Sequence, residues 1–401
     1  MHDTRSILSA SALLLAALGC RDDIQSPTQP VPASPEGDVS AAAALAFYQI
    51  SGGLDHYTCG VTLDQRAYCW GRNYRGQLGD GTTVTARLNP VAVATTLHFR
   101  QVSAGWLHTC GVTPTYRAYC WGSNGIGALG DGTTNDHYTP VAVAGGLKFR
   151  QVDAGMDYTC GVSYPDNRAY CWGNNWAGQL GDGTTTAHLR PVAVVGGLYF
   201  KQVRLGAFHT CGITTTNRAY CWGYNSYGRL GDSTNVTRLR PTRVAAGTRR
   251  FRQIDAGGGY TCAVTTTYRA FCWGHGGNGE LGTGRLFQSY WPRAVVGGLY
   301  FERLTTGAAH TCAETTSNRV YCWGYNGLGE LGDGTTTNRL APVPVAGGLS
   351  FAQVSAGGEH TCGKTPADVA YCWGDNLLGA VGDGTWQNVR LTPVPVVYSG
   401  P

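Results

Sequence analysis

Charge is scarce in this sequence, and lysine is the scarcest of the charged residues. Only 14% of the 401 residues are charged, and the lysines are Lys148, Lys201 and Lys364. Such a composition does not fit a solvated, disordered polymer. The net charge of +5 is spread along the chain, without the basic stripe that nucleic-acid-binding proteins use to neutralise phosphates. We therefore expect no nucleic-acid partner.

Long apolar runs are also missing. The run from Ile7 to Leu18 is too short to cross a bilayer, and it follows a short segment that carries Arg5. Residues 17–20, Ala-Leu-Gly-Cys, resemble the lipobox of bacterial lipoproteins, in which the cysteine is acylated and becomes the mature N-terminus. The resemblance implies a signal peptide over residues 1–19, a lipid on Cys20 and a place in the cell envelope. Because leucine is usual where Ala17 stands, an ordinary signal peptide and a secreted product are the alternative.

The next segment lacks large apolar side chains. Residues 20–45 are mostly proline, serine, alanine and acidic residues, so they cannot bury enough surface to fold alone. We interpret them as a disordered tether to one large domain over residues 46–401, which would reach the membrane only through the lipid.

Glycine is abundant, with 59 residues, and much of it belongs to an internal repeat. The tripeptide Cys-Trp-Gly recurs every 50 or 51 residues, and this regular period predicts a repeat architecture. It begins at Cys69, Cys120, Cys171, Cys221, Cys272, Cys322 and Cys372.

Each repeat contains four segments that favour β-strands. The patterns Phe-x-Gln-Val, His-Thr-Cys-Gly-Val-Thr and Arg-Ala-Tyr-Cys-Trp-Gly alternate as strands do, and Pro-Val-Ala-Val follows a segment rich in turn residues. Four short strands per repeat are typical of a propeller blade. The sequence therefore predicts an all-β, seven-bladed propeller with four antiparallel strands per blade. We also expect the N-terminal strand, Phe47 to Ser51, to close the ring by completing the last blade.

Fourteen of the fifteen cysteines form seven pairs within the predicted hairpins, and Cys20 is the remaining one. Paired residues ten or eleven apart stand opposite each other in such a hairpin, and export would keep them oxidised. Zinc is the alternative, although the Cys-x-x-Cys spacing that favours it is missing. The predicted disulfides are Cys59 with Cys69, Cys110 with Cys120, Cys160 with Cys171, Cys211 with Cys221, Cys262 with Cys272, Cys312 with Cys322, and Cys362 with Cys372.

The repeat as a whole resembles that of the regulator of chromosome condensation family. The resemblance rests on Gly-x-x-His-Thr-Cys followed by Tyr-Cys-Trp-Gly-x-Asn-x-x-Gly-Gln-Leu-Gly-Asp-Gly-Thr, and it covers residues 46–401. It implies a seven-bladed propeller, but not nucleotide exchange on a small GTPase. The chain is also similar in scaffold to the secreted bacterial β-lactamase inhibitor propeller, which acts by binding a protein on one face.

The residues that differ between repeats flank the hairpins at one end, so they should share one face of the disc. Aromatic residues concentrate there in repeats one to four, as interface residues commonly do. We expect this face of a monomeric protein to bind a protein or a glycan. The candidate binding residues are Tyr74, Trp106, Leu107, Met156, Asp157, Trp176, Phe208, Tyr224 and Tyr227.

Repeated histidines and aspartates suggest other chemistry, but turn formation and hydrogen bonding explain them better. Tyrosine replaces histidine in three repeats, which disfavours a metal site, and one aspartate before glycine is mainly a turn former rather than a calcium ligand. No nucleophile motif or paired acids stand outside the repeats. We therefore predict no enzyme activity, cofactor or metal. A structural surface component and, less favoured, an enzyme in the central channel remain the alternatives.

Overall fold

Seven four-stranded antiparallel sheets, each built from consecutive strands, make up the computed structural model, which describes residues 45–400. The predicted seven-bladed, all-β propeller is confirmed. Cys20, the predicted signal peptide and nearly all of the predicted tether lie outside the described residues. Within the described part of the chain, no helix has the length and apolar character needed to cross a membrane.

The first two strands of each blade carry the Phe-x-Gln-Val and His-Thr-Cys patterns. The inner strands line the central channel, and they span Phe47–Gly52, Gln101–Ala104, Phe149–Ala154, Phe200–Leu205, Phe251–Ala256, Phe301–Thr306 and Gln353–Ala356. The second strands span Tyr57–Thr62, His108–Val112, Tyr158–Ser163, His209–Thr214, Tyr260–Thr265, His310–Thr315 and His360–Lys364.

The third strands carry Cys-Trp-Gly, and the outer strands carry the proline-containing pattern. The third strands span Ala67–Arg72, Ala118–Gly122, Ala169–Gly173, Ala219–Gly223, Ala270–Gly274, Val320–Gly324 and Ala370–Gly374. The outer strands span Ala86–Ala92, His137–Ala142, His188–Ala193, Arg238–Arg243, Ser289–Ala294, Arg339–Pro344 and Arg390–Pro395. Short 3-10 turns at Ser226–Gly228 and Leu377–Gly379 precede two of the outer strands.

All seven predicted cysteine pairs are disulfide bonds. Each pair joins directly opposite residues of the second and third strands, for example Cys110 and Cys120, whose Cα atoms lie 4.0 Å apart. The eleven-residue spacing of Cys160 and Cys171 preserves this pairing because its turn is one residue longer. The bonds indicate an oxidising environment.

The tryptophans of Cys-Trp-Gly fill the spaces between blades. Trp172 is fully buried against the disulfide cysteines of the preceding blade, with its ring 5.7 Å from that of Phe149. Its indole Nε1 donates to the carbonyl of Ala128, also in the preceding blade, at 2.9 Å. The other six tryptophans make the same bond at 2.9–3.0 Å. One side chain thus combines apolar burial with a hydrogen bond that sets the position of the neighbouring sheet.

Glutamines of the inner strands link the blades around the channel. The side chain of Gln49 donates to the carbonyl of Val102 at 2.8 Å and accepts from its N–H at 2.9 Å. Gln353 makes the same pair of bonds to Ile50 and so joins the last blade to the first. Blade six has Arg303 at this position, and there Glu314 accepts from the N–H of Val354 at 2.6 Å instead.

The predicted exchange of the N-terminal strand is wrong. Phe47–Gly52 pairs with Tyr57–Thr62 in the first blade, and the last blade has four strands of its own. The sequence between Phe47 and Val397 contains seven whole repeats, so the chain ends fall between blades. The ring closes instead through packing of Phe47, Ile50 and Trp70 against the last blade.

The repeated histidines and aspartates have the predicted scaffold roles. The buried ring of His108 bonds through Nε2 to Thr159 Oγ1 of the next blade at 2.8 Å, and burial lowers the pKa of His108 to about 4. Where tyrosine replaces histidine, as at Tyr57, its hydroxyl also reaches the next blade. Asp80 accepts from the backbone N–H of Thr82 two residues on, which is turn chemistry.

Candidate interface on the loop face

One face of the disc consists of the loops between inner and second strands and the loops that follow the third strands; we call it the loop face. In every blade a backbone N–H at or just after the end of the third strand donates to the earlier loop, as from Ser123 to the carbonyl of Leu107 at 2.9 Å. The prediction that the two variable segments share one end of each hairpin is therefore confirmed, and the candidate residues can be compared on a common surface.

Three predicted residues from blades three and four form a single aromatic group, which we call the tryptophan cluster: Trp176, Phe208 and Tyr224. The ring centroid of Trp176 lies 5.3 Å from those of both Phe208 and Tyr224, in tilted and edge arrangements. Trp176 follows the third strand of blade three, and its backbone N–H donates to Asn174 Oδ1. Its side chain is 50% exposed although it stands against two other rings.

Arg229 supports the cluster from below, and the sequence interpretation missed it. This side chain is buried, with its guanidinium carbon 5.0 Å from the Tyr224 ring and Nη1 donating to the carbonyl of Gly258 at 3.0 Å. Burial lowers the pKa of Arg229, which still keeps its charge at neutral pH. The equivalent position holds Gln, Ala, Arg or Glu in different repeats. This variation between repeats is the sequence signal that could have identified Arg229 as a candidate residue.

The aromatic surface continues into blade five. Tyr227 is 46% exposed, and its ring lies 4.9 Å from that of His275. His275 Nδ1 bonds to Glu280, and this hydrogen bond raises the pKa of His275. An imidazole bonded to the buried carboxylate of Glu280 thus stands beside an exposed phenol at this edge of the tryptophan cluster.

The remaining predicted residues are less available to a partner. Leu107 is 8% exposed, so the expectation that it contacts a partner is wrong; its side chain belongs to the core. Trp106 and Met156 are half-buried. Asp157 is also half-buried, and burial raises the pKa of its carboxyl. Tyr74 is exposed, but it stands apart with the guanidinium groups of Arg72 and Arg75 at 5.3 and 5.8 Å from its ring.

A charged network spans the closing seam between blades one and seven on this face. His56 Nδ1 lies 3.0 Å from Asp375 Oδ2, and Nε2 lies 3.7 Å from Glu359 and 3.8 Å from Asp55. Arg72 pairs with Asp55 at 2.6 Å. The side-chain nitrogen and oxygen atoms of His56, Glu359 and Asp375 lie within 4.8 Å of one another, which is close enough for all three to coordinate one metal ion. Because each imidazole nitrogen already faces a carboxylate, the contacts constitute an ion-pair network.

The His56 network should make stability depend on pH near neutrality. Burial lowers the pKa of His56, but the bond to Asp375 and the charges of Glu359, Asp375 and Asp55 outweigh it, so the net pKa is raised. A raised pKa in the folded state means that the protonated ring stabilises the fold below its ordinary pKa near 6.5. This stabilisation is lost as pH rises through the folded-state pKa.

The measurement is the free energy of unfolding of wild type minus that of His56→Asn at pH 5.5, 7 and 8.5. The difference should be greatest at pH 5.5 and should decrease as the pH rises above 6.5, with an amplitude of up to about 1 kcal/mol because the pair is partly exposed. Subtraction removes the contributions of other titrating groups, such as Glu314. A difference that stays constant or grows with pH would contradict the network.

The central channel is the second place where a site could lie. Its cavity of about 300 Å³ contains the carboxylates of the buried Asp153 and the half-buried Asp255 on either side of Arg204, at 3.0 and 3.4 Å. Burial raises the pKa of Asp255 to about 6, and the charge of Arg204 opposes the rise. Asp153 also accepts from the N–H of Leu205, and Asp255 from that of Thr306, both in the following blade. These acids therefore serve to join neighbouring blades.

The seven-fold repeat with this architecture matches a known family. The sequence model of the RCC1-like domain matches residues 15–300, and models of the regulator of chromosome condensation (RCC1) repeat match residues 317–363 and 303–330. The chain belongs to the RCC1-like domain family. Propellers of this family typically bind proteins. The resemblance drawn from the sequence is thus confirmed.

Among relatives of this RCC1-like propeller, the ultraviolet-B receptor UVR8 of Arabidopsis thaliana is 30% identical over 64% of this chain and 59% of its own length. The probable E3 ubiquitin-protein ligase HERC4 of Homo sapiens is 30% identical over 66% of this chain and 20% of its own length. The match thus spans less than two thirds of either relative. The solved structure of Prp20p from Saccharomyces cerevisiae, described with its binding to Gsp1p and histones, superposes with a TM-score of 0.74 at 20% identity. That superposition covers 84% of this chain and 87% of Prp20p.

Proposed function

We propose that this RCC1-like propeller is an exported, lipid-anchored protein that binds a protein or glycan through the tryptophan cluster of its loop face. The observation that carries the proposal is the half-exposed Trp176, packed against Phe208 and Tyr224 above the buried Arg229. An indole that packs against two rings and is still half-exposed offers a partner a large apolar contact at a small entropic cost.

Several observations support a partner of this kind. Aromatic residues next to a buried arginine are the groups that most often dominate binding energy at protein interfaces. The flat ring of Trp176 also suits stacking on the apolar face of a sugar. Prp20p, which shares the fold, binds Gsp1p and histones. The residues of the cluster belong to the variable positions of the repeat, so the ring can fold without them.

Export and anchoring are supported by the cysteines. Seven disulfides fit an oxidising compartment. Cys20 has no place in the seven pairs and lies at the end of the lipobox-like segment. An acyl chain on Cys20 would keep the propeller at a membrane surface, where the loop face would meet neighbouring envelope proteins or glycans.

Trp176→Ala should weaken binding to a partner by at least about tenfold, because truncation of a central aromatic at an interface commonly costs 2 kcal/mol or more. The measurement has two arms: affinity for the protein recovered by cross-linking through a photoreactive residue at position 176, and binding to an array of envelope glycans.

The matched control is Trp386→Ala, which removes another tryptophan, 44% exposed, from the turn before the last outer strand. It should leave both arms unchanged. Equal affinity of wild type and Trp176→Ala for the recovered partner would refute the assignment of the tryptophan cluster, and so would equal losses for the two variants.

A further inference from the structure

The opposite face of the disc, which we call the turn face, consists of the turns between second and third strands and the linkers that enter the inner strands. At every seam the N–H of the phenylalanine that starts an inner strand donates to the turn of the preceding blade. Examples are Phe149 to the carbonyl of Tyr116 at 2.7 Å and Phe47 to that of Asp368 at 2.8 Å. These bonds place residues from all seven repeats on one continuous surface.

Cations from consecutive inner strands lie on the turn face beside the hairpin turns, as where the Arg100 guanidinium lies 5.0 Å from the Tyr116 ring. The residue after the phenylalanine is Arg100, Arg150, Lys201 or Arg252 in blades two to five. Arg252 pairs with Glu302 at 2.6 Å. Among the described residues, the other three cations have no carboxylate within ion-pair distance. Burial, and then the charges of Arg252 and Arg150, lower the pKa of Lys201.

A second arc of cations lies outside the first, on the hairpin turns. These cations are Arg117, Arg168, Arg218 and Arg269 in blades two to five, and the same position holds Arg66 in blade one and Arg319 in blade six. Tyrosines stand between them: the Arg168 guanidinium lies 5.3 Å from the ring of Tyr199, and that of Arg269 lies 4.5 Å from Tyr300. On the turns and inner strands of blades two to five, the carboxylates are Asp166, Asp153 and Asp255, and the last two pair with Arg204 in the channel. Positive charge thus dominates this sector of the turn face.

The chain enters the propeller on this same face. Ala46 accepts from the N–H of Leu63 in a hairpin turn of blade one, and Phe47 donates to the turn at Asp368. Whatever precedes Leu45 therefore connects to the turn face. A lipid on Cys20, 25 residues before Leu45 in the sequence, would hold this face towards the membrane.

We propose that the turn face of blades two to five docks on an anionic phospholipid membrane, so that the loop face points away from the membrane and stays open to its partner. The direction of docking rests on the proposed lipid anchor. Each arginine or lysine near an anionic bilayer adds electrostatic attraction. Exposed tyrosines such as Tyr199 and Tyr300 are suited to the headgroup region, where aromatic rings with a polar tip accumulate.

The test uses the full chain with Cys20→Ser, so that no acyl chain contributes, and vesicles of phosphatidylcholine with or without 30% phosphatidylglycerol. The expected result is binding to the anionic vesicles that weakens steeply with added salt, as screening requires. Arg100→Gln, Lys148→Gln and Arg168→Gln together, all at exposed positions of the turn face, should reduce the binding constant by about fivefold per removed cation, about 100-fold in total.

The matched control removes three exposed arginines from the outer strands instead, as Arg190→Gln, Arg240→Gln and Arg293→Gln. It makes the same change in net charge and should lose little binding. Equal losses in the two triple variants would overturn the proposal, because net charge would then explain the binding. Binding of the Cys20→Ser chain to anionic vesicles that does not change with salt would also overturn the proposal. This measurement does not depend on the triple variants. Stronger binding to a DNA duplex or to polygalacturonate than to the vesicles would also overturn the proposal.

The outcome is separable from that of the proposed function. Mass spectrometry of the wild-type chain from membranes reports acylation of Cys20, and Trp176→Ala reports partner binding at the loop face. Vesicle docking of the Cys20→Ser chain is independent of both measurements.

Discussion

Trp172→Ala should lower the free energy of unfolding by about 3–5 kcal/mol, the usual loss when a large buried aromatic is truncated. Trp172 is fully buried between blades two and three. Its removal leaves a cavity against the Cys110 to Cys120 disulfide and deprives the carbonyl of Ala128 of the indole N–H. Both effects act at a seam where contacts between the two sheets depend on side chains. Denaturant unfolding, followed by far-ultraviolet circular dichroism under oxidising conditions, gives the measurement.

Trp176→Ala is the matched control, because the same residue type lies four positions further on. Its side chain is half-exposed, so the expected loss is about 1 kcal/mol or less. The pair separates the two kinds of tryptophan in this chain, those that join blades and those that face outward. Similar losses for the two variants would contradict the assignment of Trp172 to the interior of the seam.

Removal of one disulfide, by Cys211→Ala with Cys221→Ala, should lower the free energy of unfolding by about 2–3 kcal/mol. The bond closes a loop with a sequence separation of 10 residues, and the chain-entropy estimate for so small a loop lies in this range. Both side chains are fully buried, so some packing is lost as well. Denaturant unfolding of the double variant beside wild type measures the change.

Cys20→Ser is the control for this experiment, and it should leave the unfolding curve unchanged because Cys20 stands outside the seven pairs. Thiol titration in denaturant without reductant gives an independent check. At most one free thiol per chain is expected, that of Cys20 when it carries no lipid. Several free thiols would contradict the disulfide assignment, whatever the stability of the double variant.

Strand order and disulfide pairing followed from local sequence. The four strand patterns lie within 50 residues, and Cys110 and Cys120 lie in one hairpin, so the turn between them fixes which residues face each other. The same pattern occurs in seven copies, so each strand and disulfide assignment rested on seven examples. Local hydrogen bonding suffices for these features, and this explains why they could be predicted.

Ring closure could not be decided in the same way. A terminal strand that pairs with the last blade and one that pairs with the first use the same Phe-x-Gln-Val pattern. Phe47–Gly52 pairs with the hairpin that follows it, which is the neighbour nearest along the chain. The network of His56, Asp375 and Glu359 was missed for a related reason, since its members lie at opposite ends of the sequence and meet only when the ring closes.

The sequence predicted nine binding residues on one face, and the structure brings only some of them together on an exposed surface. Trp176, Phe208 and Tyr224 come together because blades three and four are adjacent, whereas Leu107 turns inward. Arg229 could not have been placed under Tyr224 from the sequence, because its side chain reaches the carbonyl of Gly258 across a seam. Contacts across seams depend on how whole sheets pack, and no local pattern specifies them.

The sequence by itself determined the blade, the number of blades and the oxidised cysteines, since each depends on residues that are neighbours in one repeat. Only the tertiary structure decided what each face of the disc carries. Arg100, Arg150 and Lys201 stand about 50 residues apart and give no basic stripe along the chain, yet the ring brings them to one face of the disc. A closed ring gathers one residue from every repeat onto a shared surface, so the charge of that surface exists only after the blades have packed.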